Sequence, residues 1–317
     1  MKIKRLDKIL FIAVVSLLGL IAFFAKNLKA IELPIEITSF VSSKLKDTAV
    51  SDNSVTLILG GDVMLGRTVM TTSIEKKDYT YPFLKIADLL KNADLTFVNL
   101  ENPVVVNCPE RVEGLIFCAD PKTLEGLTFA GVDIVNLANN HTLNYGQNGF
   151  EETKDNLDEV SIKHVGESNF VIKKVNGMSF GFLGFEKSQQ VNPKLSEEEI
   201  NLIKESDRKV DVLIVAMHWG VEYQDKALAG VGALARELVD LGADIVVGHH
   251  PHWVQDIEYI NGVPVYYSLG NLVFDQMWSD KTREGLVVKL TFDNKKLVGE
   301  ELIKTYMENW AQPEVVK

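Results

Sequence analysis

The feature that most limits the fold is a series of short apolar runs, rich in Val and Ile, each bounded by Gly, Asp, Asn or Pro. They cover residues 55–59, 95–100, 134–137, 179–185, 210–217, 245–247, 263–268 and 285–292. Segments this short and this β-branched predict strands buried in a sheet. Helical patterns lie between many of them, at 82–91, 121–130, 149–160, 197–207 and 227–241, and Gly242 stops the last as a C-terminal cap should. Strands alternating with helices predict an α/β protein with a largely parallel central sheet. The closing segments alternate more clearly and have no helices between them, which predicts an antiparallel section near the C-terminus. No internal repeat is present.

The N-terminus has a different character. Lys2, Lys4, Arg5 and Lys8 precede an uncharged apolar run over 9–25 that Lys26 closes. At 1.5 Å per residue such a helix reaches about 25 Å, the short end of what spans a bilayer. The basic flank predicts an N-terminus (1–8) in the cytoplasm, a single-pass anchor (9–25), a stalk (26–52) and an extracytoplasmic body (53–310) with a short tail (311–317). A cleaved signal peptide starts similarly, though Lys26-Asn27-Leu28-Lys29-Ala30 lacks a good small-x-small site.

Charge narrows the partners. Of the formal −11, residues 1–50 carry eight basic and four acidic side chains, leaving −15 on the rest. An acidic body excludes nucleic acid, whose phosphates need a basic surface. Cys108 and Cys118 are too few for a disulfide-built scaffold. Outside the cell they could close a small loop; two ligands of a metal, or two free thiols, are the other readings.

The chemistry is concentrated where the strands stop. The strand ends read Gly60-Gly61-Asp62, Asn99-Leu100-Glu101, Asn139-Asn140-His141, His218-Trp219-Gly220-Val221-Glu222, Gly248-His249-His250-Pro251-His252 and Ser268-Leu269-Gly270-Asn271. In open α/β sheets the ligand crevice lies beyond the carboxyl ends of the strands. Five of the six histidines fall at these ends, and only His164 lies elsewhere. Alone, most of these residues have bland explanations: Asp62 as a turn residue, Glu101 or Asn140 as caps, His218 as a core histidine. Three imidazoles within 249–252 are harder to explain structurally. Imidazole with carboxylate suits zinc, manganese or iron, and ligands from several loops could hold one or two divalent ions. No Gly-x-Ser-x-Gly elbow, Walker loop or Gly-x-Gly-x-x-Gly occurs, and nothing in the spacing of Glu101 and Glu222 supports glycosidase chemistry.

Together these motifs, with Gly61-Asp62-Val63-Met64-Leu65-Gly66-Arg67, Tyr145-Gly146 and Tyr267-Ser268-Leu269-Gly270-Asn271, resemble the CapA (PgsA) family of poly-γ-glutamate capsule synthesis proteins over about residues 55–292. The resemblance implies a four-layer αββα sandwich related to calcineurin-like metallophosphoesterases, here preceded by one transmembrane helix. It implies Asp62 as a first-motif metal ligand, Asn140 as a ligand beside a catalytic His141, His218 as a ligand, and His250 with His252 as a closing pair. Met64 stands where the parent pattern has a His, and Asn99 or Glu101 must replace the parent bridging Asp. Glu222 joins Asn140 and His141 as a candidate catalytic group.

The expected function is that of a membrane-anchored, extracytoplasmic protein in synthesis, export or anchoring of an anionic capsule polymer of poly-γ-glutamate type. The metal site would make it a hydrolase or transferase, with polymer synthase subunits as partners. Two alternatives stand beside it: a non-catalytic polymer-binding or export subunit, and an exported metal-dependent phosphoesterase. A body this acidic needs a cation or a local basic patch to grip a polyanion, and Arg67, Lys76 and Lys77 are the candidates.

Overall fold

The computed structural model describes residues 51 and 53–316. The first sheet has eight strands. Its path runs β14 (Gln312–Val315), β13 (Lys296–Asn309), β12 (Glu284–Asp293), β1 (Val55–Val63), β2 (Leu95–Leu100), β3 (Ile134–Asn136) and β4 (Lys163–Val165), with β11 (Asn271–Val273) pairing β1 off this path. β1 to β4 are mutually parallel, while β12, β13 and β14 form the expected antiparallel section. The second sheet runs β5 (Val171–Val175), β6 (Met178–Ser188), β7 (Val212–Gly220), β8 (Ile245–His249), β10 (Val263–Tyr266) and β9 (Ile257–Ile260). Its inner strands β6, β7, β8 and β10 are parallel.

Side-chain alternation sorts the core into three apolar layers. Leu57, Leu59, Phe97, Ile134, Phe182, Ile214 and Val247 pack together between the sheets. Their neighbours Ile58, Val98 and Val135 point the other way, onto helices α1 (Arg67–Lys76), α2 (Ala87–Lys91), α3 (Leu124–Phe129) and α4 (Gly146–Glu159). Leu213, Val215 and Val246 face α5 (Glu197–Asp207) and α6 (Ala229–Asp240) on the far side. Helix, sheet, sheet, helix is the four-layer αββα sandwich.

Helix α5 begins on a capping box, Ser196 and Glu199 bonding each other's backbone N–H groups. Gly242 follows α6 at φ +111°, a conformation that suits glycine. The tail segment 311–317 contributes β14, paired with β13. Cys108 and Cys118 form a disulfide with Cα atoms 5.8 Å apart.

One expectation is corrected. Among the described residues no helix is long and apolar enough to cross a membrane, and the 9–25 segment lies outside them. Over the described residues the fold is therefore the sandwich, with no transmembrane helix among them. The single-pass topology, the cytoplasmic N-terminus with an extracytoplasmic body, and the membrane as a partner rested on that helix and are withdrawn with it.

Candidate metal centre

The site is the polar end of the inter-sheet layer. On β2 the inter-sheet side carries Leu95 and Phe97, so the same alternation brings Asn99 and then Glu101 to that side. On β7, Val212, Ile214 and Ala216 lead to His218; on β8, Ile245 and Val247 lead to His249. β1 needs a correction of phase. Leu59 pairs Phe97 but Asp62 pairs Asn99, so β1 spends one extra residue across Gly60-Gly61. This bulge moves Val63 to the helix side and turns Asp62 inward. Only glycine fits there, because a Cβ on Gly61 would lie 2.0 Å from the Gly270 carbonyl oxygen.

Asp62 is the hub. Its Oδ1 accepts from Asn99 Nδ2 at 2.8 Å and its Oδ2 from the His250 backbone N–H at 3.4 Å. His249 Nδ1 lies 3.2 Å from Oδ1, and His252 Nδ1 lies 3.3 Å from Oδ2. Asn99 also donates to Glu101 Oε2 at 3.3 Å, and Asn136 Nδ2 holds the Asn99 carbonyl at 2.9 Å. His252 Nε2 faces Glu101 Oε1 at 3.6 Å, while its Nδ1 meets Asn271 Oδ1 at 3.0 Å. His218 Nε2 meets Asn140 Oδ1 at 2.8 Å. His141 Nε2 lies 3.9 Å from Glu101 Oε1. His250 and His252 both have positive φ, +95° and +58°, a strained backbone for residues bearing a Cβ that functional turns tolerate.

Burial and these contacts set the charges. Burial works against the Asp62 carboxylate, but the adjacent His249 and His252 imidazoles prevail and hold it well below the usual range. Glu101 is pushed well above that range by burial, with the charges of Asp62 and Glu222 acting the same way and His252 against it. Burial alone would lower His252, yet the Glu101 and Asp62 carboxylates lift it to about 9. Burial, with a neighbouring imidazole, holds His218 well below its ordinary value and His250 down to about 4. His141 is lowered by burial.

Ligand atoms of Asp62, Glu101 and His218, all three buried, lie within 4.8 Å of one another, and this cluster can coordinate one divalent ion. Glu101 Oε1 and both ring nitrogens of His250 are buried without a hydrogen-bond partner. Leaving such atoms unpaired costs about 1–3 kcal/mol each, and a cation removes that cost at Glu101. Two carboxylates and an imidazole suit zinc, manganese or iron. A second ion has less to hold it: Met64 is packed in the helix-side core, where its sulfur accepts the Gly66 N–H at 3.1 Å.

The fold thus brings Asp62, Asn99, Glu101, Asn140, His141, His218, His250 and His252 to one place. Glu222 is half-buried nearby, and its charge is felt at Glu101, His141 and His252. Sequence reasoning placed His249 and Asn271 at strand ends but gave them no role, and it missed Asn136, which counting alternation two steps past Ile134 would have found. The basic patch does not form as expected: Arg67 is paired with Asp275, its Nε donating at 3.1 Å, and Lys76 lies over the Tyr81 ring. Nothing on the described surface identifies a synthase subunit or a bound polymer, so those partners are withdrawn. A cavity of about 590 Å³, lined by Asn139, Asn140, Leu143, Glu186 and Gln189 among others, opens beside the cluster.

The Bacillus anthracis "Capsule biosynthesis protein CapA" is 32% identical over 264 residues, covering 75% of this chain and 64% of that protein. The "PGA biosynthesis protein CapA" of Bacillus subtilis (strain 168) is 32% identical over 260 residues, covering 75% and 68%. The chain thus spans just under two thirds of the first relative's length. A crystal structure of a hypothetical protein from Thermus thermophilus superposes with a TM-score of 0.53 at 18% identity, over 78% of this chain and 98% of that one. That likeness shows a shared fold. Residues 56–276 match the profile of the family described as bacterial capsule synthesis protein PGA_cap, well over half of the sequence, and the chain belongs to that family.

Proposed function

We propose that the chain is a metal-dependent phosphoesterase-type hydrolase serving capsule polymer biosynthesis, the role that the names of its Bacillus relatives give those proteins. This replaces the membrane-anchored reading, which has no described helix to rest on. The observation that carries it is the unpartnered, fully buried Glu101 Oε1 set beside Asp62 and His218.

Asp62, Glu101 and His218 would hold the ion, with Asn99 and Asn136 fixing the carboxylates by hydrogen bonds. When bound, a divalent ion supplies Lewis-acid charge for a phosphoryl oxygen and makes water a usable nucleophile near neutral pH. Asn140 orients His218 through its side-chain oxygen. His141, low in pKa and therefore neutral at working pH, would take or return a proton at Nε2. Protonated His252 supplies positive charge beside Glu101 and Asp62, where a phosphate ester would need it. Glu222 is the remaining carboxylate at the rim. His250 sits between His218 and His252, with ring centroids 4.8 and 6.2 Å away, and is available as a further nitrogen donor.

The test is metal content and turnover of a chromogenic phosphodiester by the purified chain, beside Glu101→Gln. We expect one equivalent of manganese or zinc in the parent, with hydrolysis, and loss of both in the variant. A parent chain that stays metal-free after incubation with these ions overturns the proposal. Stoichiometric metal without hydrolysis overturns the catalytic half and leaves a binding protein.

A further inference from the structure

We infer that Asn144 is a positioning residue that fixes which nitrogen of His141 carries the proton: Nδ1 holds it, and Nε2 is left free to face the metal centre. The inference rests on the hydrolase reading, since that is what gives Nε2 a proton to move.

The argument is one of donors and acceptors. Asn144 Oδ1 lies 2.6 Å from the backbone N of Phe117 and 3.0 Å from His141 Nδ1. A backbone N–H can only donate, so the side-chain atom that meets it must be the amide oxygen rather than the NH2 group. That choice removes the usual ambiguity of an asparagine flip. The same oxygen meets His141 Nδ1, and an oxygen without a hydrogen can only accept. Nδ1 must therefore be the protonated nitrogen of the neutral ring, which leaves the lone pair on Nε2, 3.9 Å from Glu101 Oε1.

The frame that sets Asn144 is built twice over. The Asn144 backbone N–H donates to the His141 carbonyl at 3.0 Å, closing a tight turn that carries both side chains. The His141 backbone N–H is held by Asn139 Oδ1 at 3.1 Å. Phe117 supplies more than its N–H: its ring stacks on the imidazole with centroids 4.0 Å apart and planes 23° from parallel. The Arg67 guanidinium lies 4.5 Å from the Phe117 ring centre, and its Nη1 donates to the Gly114 carbonyl at 2.8 Å. Cys118, next in sequence, ties this loop to Cys108. The imidazole thus has one nitrogen bonded and one face covered, and only its Nε2 edge is directed at the cluster.

The experiment is a long-range 1H–15N spectrum of the full chain, labelled with 15N-histidine and recorded at alkaline pH where the ring is neutral. His141 signals are identified by their loss in His141→Gln. We expect Nδ1 to resonate as a protonated nitrogen and Nε2 as an unprotonated one. Asn144→Asp keeps the acceptor and should keep this pattern. Asn144→Ala should collapse the separation of the two shifts toward the average of exchanging tautomers. An Nε2–H pattern in the parent, or an Asn144→Ala spectrum indistinguishable from it, overturns the inference. Should Asn144→Ala fail to fold, the parent pattern alone decides. Zinc added to the same samples reads the metal centre separately, through His218. A chain with the Nδ1–H pattern that takes up no zinc fails the functional proposal and leaves this inference standing; zinc uptake with the opposite tautomer does the reverse.

Discussion

The two sheets meet at the site with opposite chemistry. The first supplies oxygen and amide groups: Asp62, Asn99, Glu101 and Asn136. The second supplies imidazoles: His218, His249, and the turn bearing His250 and His252. The oxygen wall is bonded within itself, Asn136 to Asn99 and Asn99 to both Asp62 and Glu101. The imidazole wall is not: among the described residues, neither His249 nor His250 has a nitrogen in good hydrogen-bond geometry. The oxygen wall is therefore set by its own sheet, whereas the nitrogen wall depends on what approaches it. Substitutions on the two sides should differ accordingly.

The largest effect belongs to Asp62→Ala. It removes the acceptor of Asn99 and the His250 backbone and the carboxylate that the His249 and His252 rings face, and should cost about 3–5 kcal/mol, as loss of a buried charge partner does. Urea unfolding checks this, and a cost below about 1 kcal/mol would break the picture of a hub.

Next comes the contrast within the imidazole wall. His252→Ala should cost about 2–3 kcal/mol near neutral pH, because it strips a bonded charge from Asp62 and Glu101. His250→Ala should cost about 1 kcal/mol, since the unpartnered nitrogens it removes offset the cavity it leaves. The pH dependence has opposite signs. His252 is raised, so its contribution is complete below its ordinary 6.5 and fades as pH rises through about 9. His250 is lowered, so its contribution is present above 6.5 and is lost as pH falls towards about 4. Stability of the metal-free chain measured across that range should flatten on the alkaline side in His252→Ala and on the acid side in His250→Ala.

Glu101→Gln should change stability by less than about 1 kcal/mol, because burial already disfavours its charge. Its effect should appear instead as a loss of at least about 10–100-fold in zinc affinity by calorimetric titration. The smallest effect lies far from both walls. The Lys295 ammonium and the Ser179 backbone and hydroxyl groups bond Asp211 and hold it to about 2. That contribution is present above 3.8 and is lost as pH falls through about 2. Asp211→Asn should lower stability by about 1 kcal/mol or less at neutral pH, remove that acid limb, and leave zinc uptake unchanged.

Much of this was legible in the sequence. The apolar runs mark nearly all the inner strands, and α5 lies at 197–207, where its capping box and periodicity are plain. Helix α1 was missed because its buried face is only Val69, Met70 and Ser73, and its Thr and Ser residues are weak helix formers. β13 was missed because its charged residues, for the most part exposed or half-buried, give no apolar run. The strand ends revealed most of the cluster, since polar side chains accumulate where apolar alternation stops. The phase shift at Gly60-Gly61 was not legible, because it depends on contact with Gly270, a residue more than two hundred positions away. Asn144 escaped notice for a similar reason: the Phe117 N–H that fixes its amide is brought to it by the fold.

The placement of β1 has a consequence for synthesis on the ribosome. Asp62 lies near the end of a strand with β2, soon after it in the chain, on one edge; on the other, β12 covers Val55–Leu59 and β11 covers Asp62 and Val63. Strand β1 therefore waits for residues beyond 270 to emerge before its second edge is covered. Such long-range pairing slows folding and leaves an apolar strand edge open to other chains meanwhile. A nascent chain stalled before residue 271 should display that whole edge to chaperones, with the acidic hub of the site still unfixed.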